Sequence, residues 1–260
     1  MNLRNIGLIL NRELKSYFSS LTVYLVIVMF LLMTGYFFYN LLVTFSVVSI
    51  QAQADPMLAR QYQLLNINET VIRPLFGSIS IILLLMTPLL TMRLFAEEKK
   101  TGTIELLLTF PVNDIDVVLG KYLACLVVLL AMILLTVTYP VIVVMLGTPE
   151  VMPIVTGYLG LVLLGAAATS LGIFTSSATE NQIVSASMSF GMLFFFWLIS
   201  YSVPLVSPGL GQILGYLSIN EHITSMSKGV VDSEDVVYYL CFVALFLFLT
   251  LRSLETNRWR

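Results

Sequence analysis

Long apolar stretches organise the chain, at about residues 21–45, 74–92, 122–146, 153–175, 183–204 and 236–252. Each is near the ~20 residues that a helix needs to cross a bilayer. None contains Lys, Arg, Asp or Glu except Arg252, at the end of the last. The pattern predicts an all-α, polytopic membrane protein with six transmembrane helices, forming one domain over residues 1–260. Pro88 and Pro140 should kink the second and third spans. In the fourth, small residues recur at four-residue spacing (Gly165/Thr169, Ala168/Gly172), which predicts close backbone approach. The fifth continues with Ser185, Ala186, Ser187, Ser189 and Gly191. Packing within the chain accounts for these small residues, and so would the lining of a conduit.

Residues 2–19 alternate differently. Leu3, Ile6, Ile9, Leu10, Leu14, Tyr17 and Phe18 recur at steps of three and four, with Arg4, Asn5, Asn11, Arg12, Lys15 and Ser19 between them. This predicts an amphipathic helix lying in the membrane interface with its basic face in water. Residues 46–73 form a polar outer loop, helical in part. Residues 205–235 are too polar to span and too apolar for a free loop, so an outer re-entrant or interfacial hairpin is expected there. His222, the only histidine, reads as a surface residue beside Glu221.

Composition strengthens the membrane reading. The chain is 58% hydrophobic and 11% charged, with a mean hydropathy of +0.94, whereas soluble domains are roughly 25% charged. A net charge of −2 gives no reason to expect a nucleic-acid partner. Cys125 and Cys241 lie in apolar runs and read as small buried hydrophobes. Basic residues set the orientation. Arg4, Arg12, Lys15, Arg93, Lys99, Lys100, Lys121, Arg252, Arg258 and Arg260 fall on one side, and Arg60, Arg73 and Lys228 on the other, 10 of the 13. The positive-inside rule then places both termini in the cytoplasm.

Residues 93–121 are the longest stretch in the middle of the chain that is not simply apolar. Arg93 to Lys100 should continue the second helix. Gly102 can end it with positive φ, and Thr103 can cap a short transverse helix bearing Ile104, Leu107, Leu108 and Phe110. Pro111 stops that helix. Asn113, with Asp114 and Asp116 in the first turn, should start the next, which leads through Ile115, Val118, Leu119 and Tyr122 into the third span. Such a lever is built to pass a partner's motion into two spans, although an ordinary interfacial loop fits the pattern equally well. On the same side, Thr179-Glu180-Asn181-Gln182 reads as a capping box, with Thr179 capping the fifth helix.

Catalytic signatures are missing. The sequence has no HExxH, CxxC or Walker loop, and no ionisable side chain inside the spans to serve an intramembrane enzyme or an ion-coupled carrier. A non-catalytic membrane subunit driven from elsewhere fits best, and a membrane scaffold is the alternative.

The 93–121 interval resembles the signature region of ABC-2 type permeases. Arg93, Glu97, Glu98, Gly102, Thr103, Glu105, Leu107, Leu108, Pro111, Gly120 and Lys121 carry the likeness. It continues through Thr179 to Gln182 and through Val237-Tyr238-Tyr239-Leu240 to Arg252-Ser253-Leu254-Glu255. The gliding-motility permease type is the most similar branch, and the nitrous oxide reductase maturation type is more distant. The resemblance implies a permease subunit of an exporter in the bacterial inner membrane, paired with a second permease subunit. ATP and Mg would be bound by a separate ATP-binding cassette subunit, so this chain needs no cofactor. A coupling helix within 93–111 would meet that ATPase through Phe95, Glu97, Glu98, Lys99, Lys100, Gly102, Thr103, Glu105 and Leu108. Thr179, Glu180 and Asn181 would form a second inner contact. A periplasmic or membrane accessory protein is a further implied partner.

Overall fold

The computed structural model describes residues 2–54, 67–103 and 113–258. Among these, helices Leu3–Ser19 (α1), Leu21–Ala54 (α2), Arg73–Thr91 (α3), Ala96–Lys100 (α4), Asp114–Leu135 (α5) and Thr138–Leu146 (α6) make the first half. Val151–Ala178 (α7), Gln182–Ser202 (α8), Pro208–Leu217 (α9), Ile219–Met226 (α10) and Ser233–Arg258 (α11) follow. Among the described residues, six helical stretches are long and apolar enough to cross a membrane, in the order read from the sequence.

The central helix is α7, against which α3, α5, α8, α10 and α11 all pack. Its small residues make this possible. A Cβ on Gly172 would lie 2.8 Å from Thr91 Cβ, so only glycine lets α3 and α7 cross there. Leu161, Leu164, Ala167, Ala168 and Leu171 of α7 are fully buried. By contrast, α2 and α8 leave much of their surface apolar and exposed, including Leu32, Tyr36, Phe195 and Leu198, as helices facing lipid do.

Several boundaries differ from the sequence expectation for physical reasons. The helix of the first span continues past residue 45 into the outer segment expected to be helical in part. It stays helical to Ala54, where Gln and Ala are good helix formers and the Ser46 and Ser49 hydroxyls turn back onto the carbonyls of Val43 and Phe45. The helix leading into the third span starts at Asp114, after Asn113, as expected, but it is interrupted at Thr136 and Val137. Pro140 explains the break, because its ring collides with the carbonyl four residues back, that of Thr136. Around Pro88 the helix remains continuous to Thr91, with Thr87 Oγ1 donating to Leu83 O at 2.7 Å. A turn at Met92–Phe95 then separates α3 from α4, so the stretch from Arg93 to Lys100 is not one uninterrupted helix.

The 205–235 segment folds as two short helices, α9 and α10, that bend at Ser218. His222 is not a surface residue. It is 6% exposed, because its ring stacks on Tyr238 at 4.0 Å and its Nδ1 pairs with Asp235 Oδ1 at 2.6 Å. Tyr239 also donates to Ile219 O at 3.0 Å, and Thr156 to Met226 O at 2.7 Å. These bonds clasp the segment to α7 and α11. Cys125 is buried as expected, whereas Cys241 is exposed on the outer side of α11.

Candidate functional site

Polar chemistry gathers at the end of the bundle where α1, α4, the start of α5, the end of α7 and the end of α11 meet. The closest structure there is a ring of alternating charges. Arg12 Nη2 donates to Glu13 Oε1 at 2.6 Å and to Glu98 Oε1 at 2.9 Å. Lys121 Nζ meets the same two oxygens at 3.1 and 2.8 Å. Each carboxylate oxygen thus bridges two cations. Lys121 is 1% exposed, against 54% for the Arg12 side chain, so the ring runs from water into the protein. The third Lys121 donor reaches Leu94 O at 2.7 Å, and the ammonium lies 5.1 Å from the Phe95 ring centroid. All three of its protons are therefore directed at acceptors.

The ring joins three elements that are distant in sequence: α1, α4 and α5. Its electrostatics follow from the crowding. Burial acts to raise the Glu13 carboxyl, but the charge of Lys121 and the hydrogen bond and charge of Arg12 outweigh it and hold Glu13 below the usual carboxylate value. Burial likewise opposes the Arg12 guanidinium, and Glu13 with Glu98 raises it above its ordinary value. At the start of α5, Asp116 is fully buried and accepts the Asn2 N–H at 3.1 and 3.2 Å. It therefore fixes the beginning of α1 as well as standing in a helical first turn.

A second tie runs from α4 to the centre of the bundle. Ser176 Oγ accepts from the backbone N–H groups of Phe95 (3.0 Å) and Ala96 (3.1 Å), and donates to Met92 O at 3.1 Å. Free N–H groups at the start of a short helix are thereby satisfied by the end of α7. Lys99 Nζ donates to Ser177 O, and Ser253 of α11 donates to the same carbonyl at 3.0 Å. The segment at 93–103 and the turn after α7 therefore form one assembly.

The expected contact residues separate by position. Phe95 is buried, and Glu98 and Lys99 are half-buried and bonded inward. Glu97, Lys100, Gly102 and Thr103 are exposed, as are Glu180 and Asn181, with Thr179 intermediate. Gly102 adopts φ +72°, the backbone its sequence position called for. Glu105 and Leu108, with the rest of the transverse helix and Pro111, lie outside the described residues. The cap of α8 is Asn181 and not Thr179. Asn181 Oδ1 accepts from Ile183 N–H at 2.9 Å, while Thr179 Oγ1 accepts from Asn181 N–H at 3.2 Å. Asn113 occupies the N-cap of α5 without a side-chain capping bond.

Sequence reading passed over Glu13, Ser176 and Ser177. Glu13 carried a signal: it falls on the stripe of Ile6, Leu10 and Tyr17, seven after the first and four before the last. An acid on an apolar face calls for a buried cation. Ser176 and Ser177 carried none, being indistinguishable from other small residues of α7.

Between α1, the start of α2 and the end of α3 lies a cleft of about 580 Å³. Its walls include Tyr17, Ser20, Thr22, Val23, Val26, Leu89, Leu90, Arg93 and Glu97, and the charge ring closes one side. Arg93 donates to Ser20 Oγ at 3.1 Å and Thr22 Oγ1 at 2.7 Å.

Among the described residues, six apolar helices long enough to cross a membrane, with a charge ring where three elements meet at one end, define a multi-pass membrane protein. The model of the ABC-2 family transporter proteins matches residues 8–256, and the chain belongs to that family. It is a membrane permease subunit of an ATP-binding cassette system. A comparison with curated proteins gives no significant match.

Proposed function

We propose that this permease is driven by a separate ATP-binding cassette ATPase that docks on the exposed surface made by Lys100, Gly102, Thr103, Glu180 and Asn181. Phe95, Glu98 and Lys99 tie that surface to the bundle. ATP-dependent closure of the partner pushes the 93–103 segment. Glu98 passes the displacement to Lys121 and hence to α5, and to Arg12 and hence to α1. Ser176 passes it to α7. ATP and Mg belong to the partner, and this chain contributes docking and transmission. The single observation that carries the reading is the bridging of Glu98 Oε1 by Arg12 and Lys121, because it connects an exposed surface element to two others through charge rather than through deformable apolar contact.

The rest of the proposal is supported by likeness to the family and, for the termini, by the distribution of Lys and Arg. A second permease subunit, identical or paralogous, completes a conduit in a bacterial inner membrane, with both termini cytoplasmic. Exposed apolar faces on α2 and α8 are available for lipid or for that second subunit. Likeness to the gliding-motility type favours a variant in which the motion reaches a periplasmic partner.

Docking is tested by exchanging charges on the exposed surface. In the double variant Lys100→Glu, Glu180→Lys, an ATPase subunit that co-purifies with the native chain should be lost at unchanged permease yield. Undiminished co-purification would place the contact elsewhere.

A further inference from the structure

We infer that the cleft between α1, α2 and α3 is a binding site for a phospholipid whose headgroup carries both a phosphate and a primary ammonium. The argument starts from the charges that line it. Arg12, Arg93 and Lys121 face Glu13, Glu97 and Glu98, so the lining is neutral overall. Four of these six are ion-paired with one another in the charge ring, although Glu98 Oε2 is buried without a hydrogen-bond partner. Arg93 and Glu97 remain. Among the described residues neither is ion-paired, although they stand one helical turn apart, with Glu97 N–H donating to Arg93 O at 3.3 Å. Arg93 instead reaches across to the hydroxyls of Ser20 and Thr22.

The geometry therefore offers a guanidinium flanked by two hydroxyl groups, and beside it an exposed carboxylate. A phosphate diester suits the first, since guanidinium and hydroxyl donors converge on its oxygens. An ammonium suits the second. In a phosphoethanolamine headgroup the two are joined by a short ethylene link, matching side chains one turn apart. A purely anionic headgroup brings no cation to Glu97, and any hydroxyl it carries offers that carboxylate only a neutral donor. A choline headgroup has no N–H to donate.

The lower wall specifies a lipid rather than a soluble phosphate. Val23, Val26 and Leu90 are buried, while Leu89 is 37% exposed at the edge. Leu21 and Leu25 beside them are exposed on α2. The cleft thus runs from charged residues at the span ends onto apolar surface at the depth where acyl chains begin. In this assignment Glu97 serves the cleft and not the docking surface, and the assignment does not depend on the ATPase.

Full-length chain, purified in detergent and stripped of lipid, would be titrated with dioleoyl phosphatidylethanolamine, phosphatidylglycerol or phosphatidylcholine. Bound lipid is counted by native mass spectrometry, and melting temperature is followed in parallel. Phosphatidylethanolamine should bind and stabilise at concentrations about tenfold or more below the other two. Arg93→Gln should weaken all phospholipid binding at this site by about tenfold. Glu97→Gln, at an exposed position that does not threaten folding, should bring phosphatidylethanolamine down to the level of phosphatidylcholine. Equal binding of the three lipids, or unchanged selectivity in Glu97→Gln, would overturn the proposal. Equal stabilisation by soluble phosphoethanolamine would overturn the lipid assignment.

Discussion

Lys121 holds a positive charge where water does not reach it, and the Glu13 and Glu98 carboxylates with the Leu94 carbonyl take the place of solvent. Removing one member of such a buried pair leaves the opposite charges uncompensated, which costs about 3–5 kcal/mol. Lys121→Met should therefore lower the melting temperature of the purified chain sharply, while substitution of the exposed Lys15 should leave it unchanged. The ring also sets a pH dependence. Because Glu13 is held below the usual carboxylate value of 4.5, its contribution is fully present above that value and is lost as pH falls through the lower folded-state value. The stability gap between the native chain and Glu13→Gln should thus be constant near neutrality and shrink on acidification below about pH 4.5. A gap that widened on acidification would contradict this account of Glu13. His222 belongs at this scale too. Its buried bond to Asp235 implies that His222→Ala leaves a carboxylate without its partner and destabilises by about 1–3 kcal/mol, read as a lower melting temperature and faster proteolysis within residues 208–226.

Helices were the most legible level of the structure. Apolar runs of near-bilayer length gave the six spans, and the chemistry of single residues gave some of their ends, as Gly102 did with its φ of +72°. Pro140 interrupts its span at Thr136, as the missing N–H and ring collision require. What local pattern could not give was contact between elements far apart in the chain. Glu13 and Lys121 are 108 residues apart, and nothing in the periodicity of either helix names the other. His222 was misread for the same reason, since its partner Asp235 and stacking surface Tyr238 sit on another helix. The cap at Asn181 shows a smaller failure, where two side chains two residues apart, Thr179 and Asn181, could both fill the role and backbone geometry chose the later one. Helix crossing makes its own prediction. Gly172→Ala should destabilise by about 1–3 kcal/mol through overpacking against Thr91, outweighing the gain in helix propensity. Gly191→Ala, with nothing within 4 Å of a new Cβ, should be neutral or slightly stabilising.

At the scale of the whole molecule, the bundle separates two ends joined by apolar helices. One end carries the charge ring, the exposed surface proposed for docking and the cleft. The other carries α9 and α10, clasped to α7 and α11. α7 touches both the Ser176 tie and the α10 clasp, and α11 likewise bonds Ser177 at one end and α10 at the other, so these two helices are placed to carry displacement between the ends. Orientation is open to a direct check: a cysteine placed at Thr101, which is exposed beside Gly102, should be labelled by a membrane-impermeant thiol reagent only from the cytoplasmic side, in a chain whose exposed Cys241 has been replaced. Labelling from the opposite side would invert the topology and remove the docking surface from the reach of ATP.

The central claim is that Glu98 transmits what the ATPase delivers. The most direct measurement is ATPase activity of the reconstituted complex carrying Glu98→Gln, compared with the native complex at equal occupancy of the ATPase subunit. The account predicts that Glu98→Gln still binds the ATPase, because the exposed surface is intact, yet loses most of the stimulation the permease confers, because α1 and α5 no longer share its charge. Full stimulation in Glu98→Gln, with the ATPase bound as in the native complex, would contradict it.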